Sequence, residues 1–440
     1  MLYTDVTGLI GDTPLLLLDP RVHGLTNVDL YAKLEFLNPF GSVKDRVAWG
    51  LIRDDLDRII ADRLTLIEAS SGNTAKALQV LAGIHGLTLD ALTNRVKVTE
   101  VKDVLAVLGC HVQELPGLSE CPDPTVPNDV FSTIEEIMAA NPGKYYHPSQ
   151  YTNHKNVDTH YRTTGREIHA DIGPVDYLFG GLGTTGSTRG AAGYLREHNP
   201  RLHTVGIVST KHDFIPGIRS AGELWDVGLF EQSFYDQIIA VDSPDAIDAT
   251  LELARRYGVL AGPTSGATYF AAVAHLRAAD PDPDPDRADR VSAVIIVCDR
   301  LEWYLSYLKA RRPALFGLTG KPSIRDLTPQ DVAAAPEIDV EDLATALGTP
   351  GVVVVDTRGG MAYRIGHVPG SINIRDDLLD DLLDDGVPFP KSARIVLVCP
   401  VGEYSRRAAA LLHSRGHTAA SLRGGIIAWR DAGQPLETNT

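Results

Sequence analysis

Residues 176–198 read DYLFGGLGTTGSTRGAAGYLREH: an apolar run, a turn built almost wholly of Gly, Thr and Ser, and a helical pattern that resumes near Thr188. A strand that passes through a glycine turn into a helix is the repeating unit of a parallel sheet covered by helices. The same alternation extends in both directions. Upstream lie VDLYAKLEF (28–36), SVKDRVAWGLIRDDLDRII (42–60), LTLIEA (64–69) and a helix from about Asn73 through LQVLAGIHG (78–86). Downstream lie HTVGIV (203–208), AIDATLELARRYG (246–258) and SAVIIVCD (292–299). This block runs to about Phe316, and residues 317–337 then turn irregular, with Gly, Pro and no sustained period, as a linker would. A smaller α/β pattern follows from 338 to 440: DVEDLATAL as helix, GVVVVDTR and RIVLVCP as buried strands, SRRAAALLHSRGH as helix, then GGIIAWRDAG. The expected fold class is therefore α/β, with domains at 1–316 and 338–440 and a linker at 317–337.

Composition sets the outer bounds. A chain of 440 residues with 44% apolar content has core enough for two or three domains. Its 41 basic and 57 acidic side chains leave a net charge of -16, the wrong sign for a general nucleic-acid binder. Cys110, Cys121, Cys298 and Cys399 are too scattered for a disulfide framework or a metal knuckle, so no metal is expected. The first residues, MLYTDVTGLIGDTP, carry acid where a signal peptide carries base, and no apolar run is long enough to span a bilayer. A cytoplasmic protein with no membrane partner is expected. The Pro-rich stretches ECPDPTVPND (120–129) and DPDPDPD (280–286) read as surface loops.

Three segments of the first block carry chemistry. Asn38-Pro39-Phe40-Gly41-Ser42 is turn chemistry ending in a residue suited to cap the helix opened by Val43-Lys44-Asp45-Arg46. At a helix start the positive end of the dipole favours the neutral amine of Lys44, the form that makes a Schiff base. Ser70-Ser71-Gly72-Asn73-Thr74, between strand and helix, gathers hydroxyl and amide groups where backbone N–H groups are unpaired, either as a carboxylate site or as a plain cap. Gly180-Gly181-Leu182-Gly183-Thr184-Thr185-Gly186-Ser187 matches neither the Walker loop nor the dinucleotide fingerprint. Four glycines with three hydroxyls suit a phosphate cradle.

In this order the segments resemble the cysteine synthase and cystathionine β-synthase family of fold-type II pyridoxal phosphate enzymes. IGDTPLLLL, YAKLEFLNPFGSVKDR, EASSGNT, QYTNHKNVDTHYRTTGREI, GLGTTGSTRG and GVLAGPTSGA carry the resemblance over about residues 1–315. It implies two open α/β subdomains, pyridoxal 5'-phosphate as cofactor and, commonly, a homodimer. By resemblance Lys44 forms the internal aldimine, Asn73 bonds the ring oxygen, and Gly183, Thr184, Thr185, Gly186 and Ser187 hold the phosphate. Ser70, Ser71, Gly72, Thr74, Gln150 and Gly217 would bind the substrate. The implied reaction is β-replacement: Lys44 takes the α-proton of an activated serine, the β-substituent leaves an aminoacrylate, and a nucleophile adds.

The segment Cys298-Asp299-Arg300-Leu301 departs from the family pattern, which has serine where Arg300 stands. Asp299-Arg300 followed by Tyr304-Leu305 looks like the branch that joins O-phosphoserine to glutamate in making a diaminopropionate precursor. Arg300 against the ring nitrogen would keep it unprotonated; Asp299 there would do the reverse.

In the second block, Cys399 ends an apolar strand ahead of a helix expected near Ser405, with Pro400, Val401, Gly402, Glu403, Tyr404 and Ser405 forming the turn. Backbone N–H groups curled around the sulfur would stabilise a thiolate or persulfide. VVVVDTR, RIGHVPGSINI, VCPVGEYS and LRGGIIAW resemble the rhodanese family over about 338–437, with Asp356, Arg358, Gly366 and His367 among its landmarks. The resemblance implies that Cys399 accepts sulfane sulfur. Tyr404, with Glu403 beside it, stands where thiosulfate users carry arginine, which favours a small-molecule or protein persulfide over a doubly anionic donor. Expected partners are thus an amino-acid substrate and a sulfur donor. The leading expectation is a β-replacement on O-acetylserine or O-phosphoserine that yields cysteine or a thio-substituted alanine, with sulfur handled at Cys399. The alternatives are glutamate as nucleophile, or an inactive first domain beside a working sulfurtransferase.

Overall fold

The computed structural model describes residues 2–70, 72–93, 98–115, 130–211, 213–222, 224, 227–279, 290–317, 324, 327–385, 387 and 389–438. The chain divides into two compact units, one of residues 1–113 and 134–313, the other of 114–133 and 314–440. Ser71 and both Pro-rich stretches, 121–129 and 280–286, lie outside the described residues.

Two sheets build the first unit. Strands β1 (Leu15–Leu17), β2 (Val28–Leu34), β7 (Tyr177–Gly181), β8 (His203–Ser209), β9 (Gln237–Val241) and β10 (Val291–Val297) form a six-stranded sheet in the order β1-β2-β10-β7-β8-β9. Only β1 is antiparallel to its neighbour. Strands β3 (Thr65–Ala69), β4 (Leu89–Thr93), β5 (His111–Glu114) and β6 (Tyr145–Tyr146) form the second, in the order β5-β4-β3-β6. The interior strands read as continuous apolar runs because helices cover both faces of a parallel sheet. Phe179, Val205, Ile207, Ile295 and Val297 pack into one core, while Leu178, Val294 and Ile296 face another across the same sheet. The small sheet closes on a third, where Leu66, Leu78 and Leu81 meet Val47 and Leu51 of the helix Lys44–Ile52. In open α/β sheets ligands bind beyond the carboxyl ends of the strands. The ends of β3, β7 and β10 deliver Ser70, Leu182 and Cys298 respectively.

The second unit is a five-stranded sheet. Strands β11 (Glu337–Ile338), β12 (Val352–Asp356), β13 (Ile372–Asn373), β14 (Arg394–Val398) and β15 (Thr418–Leu422) run parallel in the order β11-β15-β14-β12-β13. Trp429 is fully buried and donates its indole N–H to the Pro435 carbonyl (2.9 Å). Among the described residues of 317–337 there is more order than the composition suggests. Thr328 and Asp331 form a capping box on a short helix, Pro329–Ala333, whose last carbonyl accepts from Arg406 (3.0 Å). Ile324 is buried in the core of this unit. Among the described residues no helix is long and apolar enough to cross a membrane.

Candidate active site

Lys44 is the first residue of its helix, and its N–H donates to Ser42 Oγ (3.2 Å). The turn before it is held by Asp45, whose carboxylate accepts from the Phe40 N–H (2.6 Å) and the Ser42 hydroxyl (3.0 Å). Burial pushes the Asp45 carboxyl up to about 7. Burial likewise pushes the Lys44 amine down, with Cys298, Asp299 and Glu35 opposing it. A lysine so shifted keeps more of its neutral, proton-accepting form near neutrality.

Cys298 and Asp299 reach the same place from the end of β10: Val43 N–H bonds the Cys298 carbonyl (2.8 Å), and Ser42 pairs with Asp299 in a β-bridge. Asp299 is 2% exposed. One carboxylate oxygen accepts from Asn73 Nδ2 (2.7 Å) and from the Tyr304 hydroxyl; the other has no hydrogen-bond partner among the described residues. Burial raises its pKa. Arg300 points elsewhere, donating to the Phe36 carbonyl (3.3 Å) and packing against Gly41. The two adjacent side chains diverge because the antiparallel bridges Ser42–Asp299 and Ala261–Arg300 fix their backbones. Burial holds the Cys298 thiol up at about 12, which makes it inert.

Asn73 opens the helix Asn73–Ile84, with Gly72 as its cap and no capping side chain. Ser70 Oγ accepts instead from the Ala75 N–H (3.2 Å). Thr74 Oγ1 donates to Gln150 Oε1 (2.7 Å), and Gln150 Nε2 donates to the Ala69 carbonyl (3.0 Å). These two residues are therefore locked together at the end of β3.

The glycine turn leads into the helix Gly186–His198, two residues earlier than the sequence pattern suggests. Its cap, Thr185, is left-handed (φ 66°) and offers no capping hydrogen bond. A β-branched residue is rare in that region, and such outliers concentrate where a ligand is gripped. Its hydroxyl turns back to the Leu229 carbonyl (3.1 Å), leaving first-turn N–H groups free to meet an anion. Gly217 closes the turn from the other side: a Cβ at Gly183 would sit 2.8 Å from its carbonyl oxygen.

Two sets of residues escaped the sequence reading. Asn156, inside the segment 150–168, connects Gln150 to Thr184. Beneath the lysine helix, Arg46 is bound by Glu35 (2.7 Å) and Glu167 (2.5 Å), and Glu167 also by Lys33 (2.7 Å). His160 lies beside this network, with Nδ1 on Thr164 Oγ1 (2.8 Å); burial pushes it down to about 3. The folded chain thus refuses a proton that the unfolded chain takes up below about pH 6.5. Stability contributed by His160 is present above that pH and lost as pH falls toward 3. Replacement by glutamine removes this term. In urea titrations at pH 7 and pH 5, the stability of wild type relative to His160→Gln should fall by about 2 kcal/mol at the lower pH. An unchanged difference would mean the imidazole is protonated in the fold.

In the second unit, Cys399 follows β14 and is fully buried. Its Sγ accepts from the Gly402 N–H (3.1 Å) and the Ser405 hydroxyl (3.3 Å) at the foot of the helix Glu403–Ser414. This helix starts two residues before the expected Ser405, because its cap is the left-handed Gly402 (φ 93°). Tyr404 leaves the turn, donating to the Asp376 carbonyl (2.9 Å) and Asp380 (2.7 Å). Glu403 and Val401 are exposed. The Pro400 and Cys399 carbonyls accept from Ile427 (3.2 Å) and Ile426 (2.9 Å), so the Gly424-Gly425 turn supports the cysteine loop. Asp356 and Arg358 are paired (2.7 Å), and Arg358 reaches the Gly366 carbonyl (2.6 Å). His367 stacks on Tyr363 (3.8 Å).

Residues 6–299 match the family model for pyridoxal-phosphate dependent enzymes. The chain belongs to that family. Residues 339–432 match the model of the rhodanese-like domain. Cysteine synthase B of Pseudomonas aeruginosa is 32% identical over 309 residues, which cover 69% of this chain and 96% of the relative. Among solved structures, a hydrogen sulfide-producing enzyme from Fusobacterium nucleatum superposes with a TM-score of 0.60 at 27% identity, covering 69% of this chain and all of the other. An O-acetylserine dependent cystathionine beta-synthase from Helicobacter pylori gives 0.58 at 26% identity over 70% and 98%. This pyridoxal-phosphate dependent chain is a β-replacing enzyme of the cysteine synthase type with a rhodanese-like domain behind it.

Proposed function

We propose that the chain makes cysteine, or a thio-substituted alanine, from O-acetylserine or O-phosphoserine, with sulfur relayed through Cys399. The observation that carries this reading is the cysteine turn: a sulfur that accepts from the Gly402 N–H and the Ser405 hydroxyl at a helix foot, on the same chain as a β-replacing enzyme.

In the first domain, here taken as 1–316, Gly183 to Ser187 would hold the cofactor's phosphate. Lys44 would engage its aldehyde carbon and Asn73 its ring oxygen. Bound there, pyridoxal phosphate supplies an electron sink for carbanion chemistry. Lys44, with its amine pushed toward neutrality, accepts the α-proton of the amino acid and later returns one. Ser70, Ser71, Gly72, Thr74 and Gln150 would hold the carboxylate, with Gly217 along the wall. Asp299, through Asn73, is better placed than Arg300 to influence the ring.

In the second domain, here taken as 338–440, Cys399 thiolate attacks the outer sulfur of a persulfide, and the donor leaves as a thiol. Release of that sulfur as hydrosulfide takes two electrons from a thiol reductant. Tyr404 is tied away from the turn and Glu403 is exposed beside it, which disfavours a doubly anionic donor. One chain keeps both sites at an effective concentration of order mM.

The test feeds a low-molecular-weight persulfide carrying heavy-isotope sulfur, a thiol reductant and each serine ester to the full chain. Label in cysteine, lost in Cys399→Ser and restored by adding labelled hydrosulfide directly, is the expected result. A glutamate adduct formed in preference to a sulfur product would overturn it, as would a protein that consumes neither ester.

A further inference from the structure

We infer that Asn156 is a positioning residue that couples the glycine turn to the carboxylate loop, so that filling the first prepares the second. The inference rests on the roles proposed above for those two loops. Asn156 is fully buried in the helix Lys155–His160. Its Nδ2 donates both to the Gln150 carbonyl (2.8 Å) and to Thr184 Oγ1 (3.0 Å). Gln150 in turn accepts from Thr74 (2.7 Å) and donates to the Ala69 carbonyl (3.0 Å). A continuous hydrogen-bond path therefore runs from the end of β3 through Gln150 and Asn156 to the turn after β7.

The path is polarised. Because Thr184 Oγ1 accepts from Asn156, its own proton is left to donate, and it finds no acceptor among the described residues. A phosphate in the turn would supply that acceptor. The other end of the carboxamide, Oδ1, is buried and unpartnered, and it lies against Gly186, where any side chain would overlap it. Asn156 thus fills the gap beside the first residue of the Gly186–His198 helix, and flipping its amide would bring the Oδ1 lone pairs against the Gln150 carbonyl. Ordering Thr184 consequently orders Asn156, and through it the backbone and side chain of Gln150.

Coupling of this kind is measurable as non-additivity. The apoprotein is titrated with pyridoxal phosphate and with pyridoxal, and the reconstituted enzyme is assayed for KM and kcat on the serine ester, in wild type, Asn156→Ala, Thr184→Val and the double variant. Loss of Asn156 should weaken pyridoxal phosphate about tenfold, leave pyridoxal unchanged, and raise KM about tenfold with little change in kcat. Thr184→Val should raise KM about threefold in the wild-type background and not at all in Asn156→Ala. Asn156→Asp, which keeps the shape but not the donors, should behave like the alanine variant. Wild-type affinity and KM in Asn156→Ala would overturn the inference, as would a Thr184→Val effect of equal size in both backgrounds. If neither Asn156 variant folds, Thr184→Val alone decides, an unchanged KM counting against coupling. A wild-type apoprotein that takes up no pyridoxal phosphate would instead sink the site reading, and the inference with it.

Discussion

Replacing Lys44 by alanine is expected to lower turnover of the serine ester by about a thousandfold, the typical worth of a positioned acid–base group, while leaving the fold intact. The amine makes no hydrogen bond or ion pair with a described residue, so its removal strands no buried partner. The neighbouring turn keeps its own anchors in Asp45 and Ser42. Loss of the attachment proposed above should also show in the absorbance of the purified protein, which would lose its yellow colour on dialysis where wild type keeps it. The pH profile gives the second check. Burial lowers the lysine pKa, so the rising limb of kcat, read with substrate bound and the amine released, should fall below the value of a free lysine, with the base form gained as pH increases. A small primary amine added to Lys44→Ala should restore part of the rate. Turnover within a few-fold of wild type would remove Lys44 from the chemistry altogether.

What could be read from the sequence was chemistry local to one turn. The Lys44 turn, the Asn73 loop, the glycine turn after β7 and the cysteine loop after β14 each combine a strand end, small polar residues and a helix start within ten residues. Two helix starts were displaced because Thr188 and Ser405 were read as the points where the helices begin, whereas they begin at Gly186 and Glu403. In both displaced cases the true cap is a left-handed residue, Thr185 or Gly402, whose conformation is set by the turn and not by side-chain type. Partners far apart in the chain were illegible. Asn156 meets Thr184 28 residues on, and Arg46 meets Glu167 121 residues on. Charged residues are mostly exposed, so nothing in the order of letters marks Lys33, Glu35 and Arg46 as interior. Arg300 shows the same limit. Its place after β10 can be read from the sequence, but not that its side chain donates to the Phe36 carbonyl, 264 residues away.

The interior charges lead to the largest stability effect. Arg46 is 1% exposed and Glu35 fully buried. Burial alone would push the Glu35 carboxyl up, but the Arg46 charge and hydrogen bonds more than reverse it and hold it below the ordinary glutamate range. Glu167, against Arg46 and Lys33, is likewise held down, at about 2 despite its burial. The network reaches four stretches of chain, around 11–13, 33–38, 46 and 167: Thr13 donates to Glu35 (2.7 Å), Lys33 donates to the Thr13 carbonyl (2.6 Å), and Asn38 joins Glu35 (3.1 Å) to the Gly11 N–H (2.9 Å). It therefore fixes the turn ahead of Lys44 as well as the helix that follows it. Arg46→Met leaves the Glu35 carboxylate buried without its cation, and breaking a buried pair on one side costs about 3–5 kcal/mol. The double change Arg46→Met with Glu35→Met removes both charges at similar volume and should recover most of that loss. Because the folded pKa values of Glu35 and Glu167 lie below the unfolded ones, the stability they contribute is present above about pH 4.5 and is lost as pH falls toward 2. Denaturant titration of the three proteins at pH 7 checks the variant costs, and that of wild type and the double variant at pH 7 and pH 3 checks the pH dependence. A single variant within about 1 kcal/mol of wild type, or a double variant no better than the single, would mean that packing and not charge holds the lysine helix in place.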